Sequence, residues 1–414
     1  MMKATSKLVL ALAWGAVALS AGFVSSTPAY AQDKPKVSSK VAKPLKAAQD
    51  AMSAQKYDEA LAKLKEVQGI DGKSPYDEHL VNEMLGFVYV RTKQFPEAAK
   101  ALEAGLNSGF LEESEVPNRV NALAQVNYQT KNYDKAIEYG NRAIKSGNAD
   151  DDMYTLVAQA YYIKEDYKGS AKFVEDYTTS LQKAGKQPKE QTLQLLMSSC
   201  VKLDDSNCTT EALESLVSYY PKTEYWQNLL YSLFQQEGQT DKTLLHVYRL
   251  ASEVDVLKRP DDYTEFAQLA IEAGSPGEAQ TILEKGLEKN VFTDARSLDK
   301  NKRLLESAKK EAATDLAGLD KIAQDAAASQ TGSKDVSIGL AYLGYKQYDK
   351  AAEAIERGLA KGGVQSEAEA RLLLGIAQLG AGKKDQAQQA FKAVKGDPKL
   401  ERLANLWSLH ARQA

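Results

Sequence analysis

Apolar and polar positions along this chain recur in one nine-residue order. "KYDEALAKL" at residues 56–64 returns as "QFPEAAKAL" at 94, "NYDKAIEYG" at 132 and "QYDKAAEAI" at 347. Looser copies are "DYKGSAKFV" at 166, "SPGEAQTIL" at 275 and "KKDQAQQAF" at 383. The copies share an alanine: Ala60, Ala98, Ala136, Ala279, Ala351 and Ala387, with Ser170 in its place once. Twelve residues upstream of each stands another small residue: Ala48, Gly86, Ala124, Ala158, Ala267, Gly339 or Gly375. Seven residues downstream the position is again mostly small, as at Gly105, Ala143, Gly286 and Gly358. Small residues at fixed offsets let two helices approach closely while larger apolar neighbours fill the space between them. Tyr89, Tyr161 and Tyr342 follow the upstream small residue by three, one helical turn on and so on the same face. "LGFVYV" and "IGLAYL" therefore predict first helices. "YDEALAKL" and "YDKAAEAIERGLAKG" predict second helices, opening on Asp and closing on Gly as helix ends prefer.

The period is 34 to 38 residues, with 72 separating Ala279 from Ala351 as two periods. This pattern resembles the tetratricopeptide repeat family, best over Leu85, Gly86, Tyr89, Phe95, Ala98, Leu102 and Gly105. The resemblance covers most of residues 44–396. It implies an all-α fold, an α-solenoid wound as a right-handed superhelix of about ten helix pairs, divided into arrays at 44–255 and 256–396. Proline is missing from most repeat ends, and residues 190–255 match loosely, with Trp226 and Tyr231 in a first helix after Pro221. Residues 297–329, rich in Ala, Lys and Asp and without an aromatic, read as a diverged, charged helix pair. "ERLANLWSLHARQA" reads as a capping helix within 397–414, burying Leu403 and Trp407 against the last pair as a solenoid end requires.

The N-terminus is different in kind. Lys3 and Lys7 precede an apolar run from Leu8 to Val24, and small residues follow at Ala29 and Ala31. That order is a secretory signal peptide, residues 1–31, cleaved after Ala31 and followed by a flexible linker at 32–43. The run is shorter than the ~20 residues a membrane span needs, and no second run reaches that length. The expected location is the periplasm of a Gram-negative bacterium, with no integral membrane segment after cleavage. The formal charge of −3 becomes −5 when the leader's two lysines are removed. Such a balance gives no basic surface for nucleic acid.

Few residues suggest chemistry. Cys200 and Cys208 are the only cysteines, flanking a predicted turn in "SSCVKLDDSNC". An even count in an exported chain favours a disulfide between them, two unpaired thiols being the alternative. His79, His246 and His410 lie in different predicted repeats, and in a stack where each repeat touches only its neighbours they do not converge. No metal, cofactor or catalytic centre is expected. "GIAQLGAGKKD" is not a phosphate loop, because Gly380 is followed by Ala381 where lysine is required.

In the resembling family the first helix of each pair lines a concave groove that holds extended peptides. Carried onto this chain, the groove positions are Asn118, Asn121, Gln125 and Tyr128, then Asp152, Thr155, Gln159 and Tyr162. Amides at that spacing pair with a peptide backbone, and tyrosines give contact area at low entropic cost. Ordinary polar lining of a solvated face is the alternative. The matching positions near the C-terminus are apolar: Val336, Leu340, Leu343, Leu372, Ile376 and Leu379. They suggest either protein contact or burial by tight curvature. No Lys/Asn set matches the family's carboxylate clamp. The expected function is a non-enzymatic scaffold binding a protein or peptide in the cell envelope. "YYPKTEYWQNLLYSLF" resembles repeat proteins that accompany TonB-type energy transducers, so a membrane-anchored assembly subunit is the second reading. An enzyme acting on envelope polymers is the third, though no nucleophile–base pair supports it.

Overall fold

The computed structural model describes residues 35–413, and the expected leader, residues 1–31, lies outside them. The described residues are helical throughout, with no strand among them, and the protein is an all-α repeat solenoid. They fall into two compact units, one ending at Asp205 and one beginning at Ser206, upstream of the boundary expected at 255/256.

The first unit contains α1 (Ser39–Ser53), α2 (Tyr57–Gln68), α3 (Pro75–Arg91), α4 (Phe95–Leu106), α5 (Val116–Gln129), α6 (Tyr133–Lys145), α7 (Asp151–Ile163), α8 (Tyr167–Lys183) and α9 (Glu190–Lys202). The expected linker at 32–43 is therefore wrong beyond Ser38. Helix α1 begins at Ser39 because Val41, Leu45, Ala48, Ala51 and Met52 form a buried stripe, which outweighs the donor missing at Pro44. Each helix packs on the next in order, and α1 also touches α3, α5 touches α7, and α7 touches α9. The first helices of successive pairs thus form the unit's inner layer.

The fixed small residues do what their spacing predicts. All the anchor alanines, and Ser170, are fully buried. A Cβ at Gly86 would lie 2.6 Å from Leu102 Cδ2, so α3 and α4 meet where only glycine fits. Gly375 faces the ring of Phe391 and Gly339 the side chain of Ile355 in the same way. Five residues before each anchor the backbone turns with positive φ, at Gln55, Lys93, Lys131, Glu165, Gly274, Lys346 and Gly382. One left-handed residue ends the first helix and aims the chain into the second.

The second unit contains α10 (Ser206–Tyr219), α11 (Thr223–Phe234), α12 (Asp241–Glu253), α13 (Pro260–Glu272), α14 (Pro276–Glu288), α15 (Ala295–Ala328), α16 (Ser333–Gly344), α17 (Tyr348–Lys361), α18 (Glu367–Gly380), α19 (Lys384–Lys392) and α20 (Pro398–Gln413). The pair expected at 297–329 is instead the single 34-residue helix α15. No left-handed turn interrupts it. Its one weak point, Gly318, costs only about 1 kcal/mol in a helix interior. Its buried stripe is narrow, mainly Leu305, Ala308, Ala312, Leu319 and Ala326, and Tyr345, just after α16, reaches it with a 2.7 Å hydrogen bond to Asp315.

Helix α20 buries Leu403 and Trp407, and Trp407 stacks on Phe391 of α19 with ring centroids 6.3 Å apart. It also reaches the start of the unit. Arg402 pairs with Glu214 of α10, and Gln413 Nε2 donates to the Val217 carbonyl at 3.0 Å. The His410 ring stands edge-on to Trp226 of α11, while its Nε2 lies 3.6 Å from Glu253 of α12. Repeats in this unit therefore touch more than their neighbours. The premise of neighbour-only contact therefore fails, since α12 and α20 pack together, although His246 and His410 keep separate carboxylate partners, Glu369 and Glu253.

Candidate functional site

Most of the predicted groove residues lie on the inner layer of the first unit, on α5 and α7. Asn118, Asn121, Gln125 and Tyr128 are spaced three, four and three apart, along one face of α5. The structure brings Tyr128 and Gln159 together: the phenol donates to Gln159 Oε1 at 3.1 Å. Gln125, Gln159 and Tyr162 are half-buried, and Asn118 is exposed. The tyrosines occupy equivalent repeat positions. Tyr128 stands edge-on to Tyr133 at 5.7 Å, and Tyr162 edge-on to Tyr167 at 5.1 Å. Burial raises the Tyr128 hydroxyl above its ordinary pKa, and the neighbouring Tyr133 adds to the effect.

Other predicted positions are used differently. Asn121 Nδ2 donates to the Asn148 carbonyl at 3.2 Å, and its Oδ1 is buried without a donor. Thr155 does not face a groove: it is buried and its hydroxyl lies 3.1 Å from that of Thr192 on α9. Asp152 is exposed and pairs with Lys189 at 2.6 Å. Below this face the unit is pinned by a buried ion pair, Arg119 with Glu83. Burial raises the Glu83 pKa by more than Arg119 lowers it. Gly105 leaves room for that pair, since a Cβ there would strike the Glu83 carboxylate.

The second unit offers a different surface. Of the apolar positions expected there, Leu343, Leu372 and Ile376 are buried in the unit's interior, whereas Val336 and Leu340 line a cavity of about 680 Å³. Its walls come from α12, α13, α16, the turn before α18 and α18 itself. Beneath it runs a charged network that sequence reasoning missed. Arg249 is held by Glu278 through two bonds, Nε to Oε1 at 2.8 Å and Nη2 to Oε2 at 2.7 Å. Its Nη1 donates to His246 Nδ1 at 3.2 Å. Arginine only donates, so Nδ1 is the acceptor and the imidazole carries its proton on Nε2, aimed at Glu369 Oε1 3.4 Å away. Burial pushes the His246 pKa down, and the bond from His246 holds the Glu369 carboxyl below its usual range. One signal was present in the sequence: Lys242, His246 and Arg249 follow a helical spacing along α12. Their partner Glu369 lies 123 residues from His246, beyond the reach of any local pattern.

Neither Cys200 nor Cys208 is a free thiol. Among the described residues no group of His, Cys, Asp and Glu is placed to hold a metal ion. No helix among them is long and apolar enough to cross a membrane.

The tetratricopeptide repeat family profile matches residues 83–152 and 337–401, one stretch in each unit. No curated protein matches the sequence. Among solved structures the chain is similar to a tetratricopeptide repeat protein from Parabacteroides merdae. That match has 10% identity and a TM-score of 0.30, over 80% of this chain and 98% of the other. The C-terminal part of a repeat protein from Cytophaga hutchinsonii overlaps with 12% identity and a TM-score of 0.34, over 64% and 93% of the two chains. The TPR2AB domain of yeast Sti1, solved in complex with pHSP90, overlaps with 13% identity and a TM-score of 0.26, over 72% and 100%. Overlap of this extent carries no argument about partners.

Proposed function

We propose that the chain, which carries a tetratricopeptide repeat match in each unit, is a protein–protein interaction scaffold that is exported and holds an extended segment of a partner against the inner face of its first unit. One observation carries this reading: Tyr128 and Gln159, from two consecutive first helices, are joined across the inner layer, one helical turn from Gln125. A backbone laid over α5 and α7 would find amide donors and acceptors at the spacing an extended strand needs, flanked by two tyrosine rings. The role read here is binding, without chemical conversion of the partner. Export rests on the leader pattern of residues 1–31, and the periplasm is the compartment that pattern favours.

The test is site-specific photo-crosslinking. A benzoylphenylalanine at position 162 should capture a discrete adduct in cells, whereas the same probe at the exposed outer position 138 should not. Equal capture at both positions, or none at 162, overturns the inner-face reading. N-terminal sequencing of the protein recovered from the cell envelope should begin at Gln32. A chain that keeps its leader would favour the membrane-anchored assembly subunit.

A further inference from the structure

The cavity of the second unit has walls of two kinds. Leu245, Leu269, Val336, Leu340 and Leu373 give it an apolar lining, and Asp241 and Glu272 stand exposed at its edge. Its volume, about 680 Å³, exceeds that of any one side chain and falls within the ~300–1,000 Å³ range of built ligand pockets. The charges around it do not balance. Arg249 is neutralised by Glu278, and Lys242 lies 3.7 Å from Glu369. His246 is buried and its pKa is lowered, so it adds no positive charge. Asp241 and Glu272 remain, and among the described residues neither forms an ion pair. The lining thus joins an apolar floor to an uncompensated acidic edge.

We infer that this cavity takes a lysine-bearing extended segment of a partner protein. The alkyl stem of the lysine would lie on the leucine and valine floor, and its ammonium would sit between Asp241 and Glu272. Long basic side chains are suited to such a division, burying the stem while the charged head stays hydrated. The neighbouring residues of the segment occupy the remaining volume, where Ser333, Ser337 and Gln365 supply hydroxyl and amide partners. This site lies in the second unit, uses none of the residues proposed for the first, and stands or falls separately from it.

The experiment titrates the full-length mature protein with three fluorescein-labelled pentapeptides, Gly-Leu-X-Leu-Gly, where X is lysine, norleucine or glutamate. The lysine peptide should bind, the norleucine peptide more weakly, and the glutamate peptide weakest. Glu272→Gln and Asp241→Asn each remove one exposed charge and should each weaken lysine-peptide binding about fivefold, the upper range for an exposed pair. Ser337→Trp places an indole in the cavity from an exposed position and should abolish binding while circular dichroism stays native. Equal affinity for the lysine and norleucine peptides, unchanged affinity in both charge variants, or no binding of the lysine peptide at millimolar concentration overturns the inference. Competition by free 1,5-diaminopentane at the affinity of the lysine peptide also overturns it, because the site would then belong to a small amine.

Discussion

The two units share a repeat and differ in how they end. In the first, each described helix rests on its sequence neighbours, and in the inner layer α1 meets α3, α5 meets α7 and α7 meets α9, while Glu83 and Arg119 join α3 to α5. In the second, α20 comes back to α10, α11 and α12, so helices far apart in sequence are bound into one body. The difference teaches that one local code supports two uses of an inner face. A face whose repeats touch in order stays lined by half-buried amides and tyrosines. A face crossed by its own last helix becomes interior, and what remains accessible is a bounded cavity over a charged network.

The largest expected effect separates the units. Trp407→Ala removes the aromatic that stacks on Phe391 at the centre of the closure and should cost about 3–5 kcal/mol. Hydrogen exchange followed by mass spectrometry should show faster exchange through the second unit and unchanged protection in α3 to α8. Comparable loosening of both units would mean that α20 is not what distinguishes them.

A second test asks whether the shared code carries the same weight in each unit. Gly86→Val and Gly375→Val drive a side chain into Leu102 and Phe391, and each should destabilise its own unit by about 1–3 kcal/mol. Denaturant titration of the two variants measures this. A much smaller penalty at Gly375 would show that the second unit packs its pairs more loosely than its closure suggests.

Much of this architecture was legible in the sequence, and for a physical reason. Contacts such as Gly86 on Leu102 or Gly339 on Ile355 join residues sixteen apart, so the repeat itself records them. The turn residues at Lys93 and Lys131 are recorded likewise. Helix α15 misled because two repeat-length helices and one long helix have the same composition, and only the absence of a turn distinguishes them. The closure by α20 was hidden because Arg402 and Glu214 are 188 residues apart and obey no period. The first-unit face was legible as residues but not as bonds. Tyr128 and Tyr162 each pack on a second tyrosine, so truncating them would disturb folding as well as binding.

A pH series sharpens the comparison further. His79 in the first unit and His246 in the second are both held below the ordinary histidine value of 6.5, chiefly by burial. The unfolded chain takes up protons near 6.5 while the folded imidazoles stay neutral. The stability they contribute is therefore complete above about 6.5 and is lost as pH falls through the lowered values. Thermal unfolding midpoints should drop between pH 7 and 5, and His79→Gln and His246→Gln should each flatten the slope for its own unit. A slope unchanged in both variants would assign the acid sensitivity to other groups.

The smallest effect concerns the turns. Lys93→Gly in the first unit and Lys346→Gly in the second relieve a left-handed residue with φ near 60°. Each should stabilise by at most about 1 kcal/mol, since the relief is partly offset by glycine's greater freedom in the unfolded chain. Chemical denaturation should give the same sign in both units, because the turn belongs to the repeat and not to the closure.

The most direct measurement is hydrogen exchange on a chain ending at residue 397, from which α20 is missing. In that chain α10, α11 and α12 should lose protection together with α18 and α19, while α3 to α8 exchange as in the full-length protein. Retained protection in α10 to α12 would contradict this, because the start of the second unit would then be stable without its last helix.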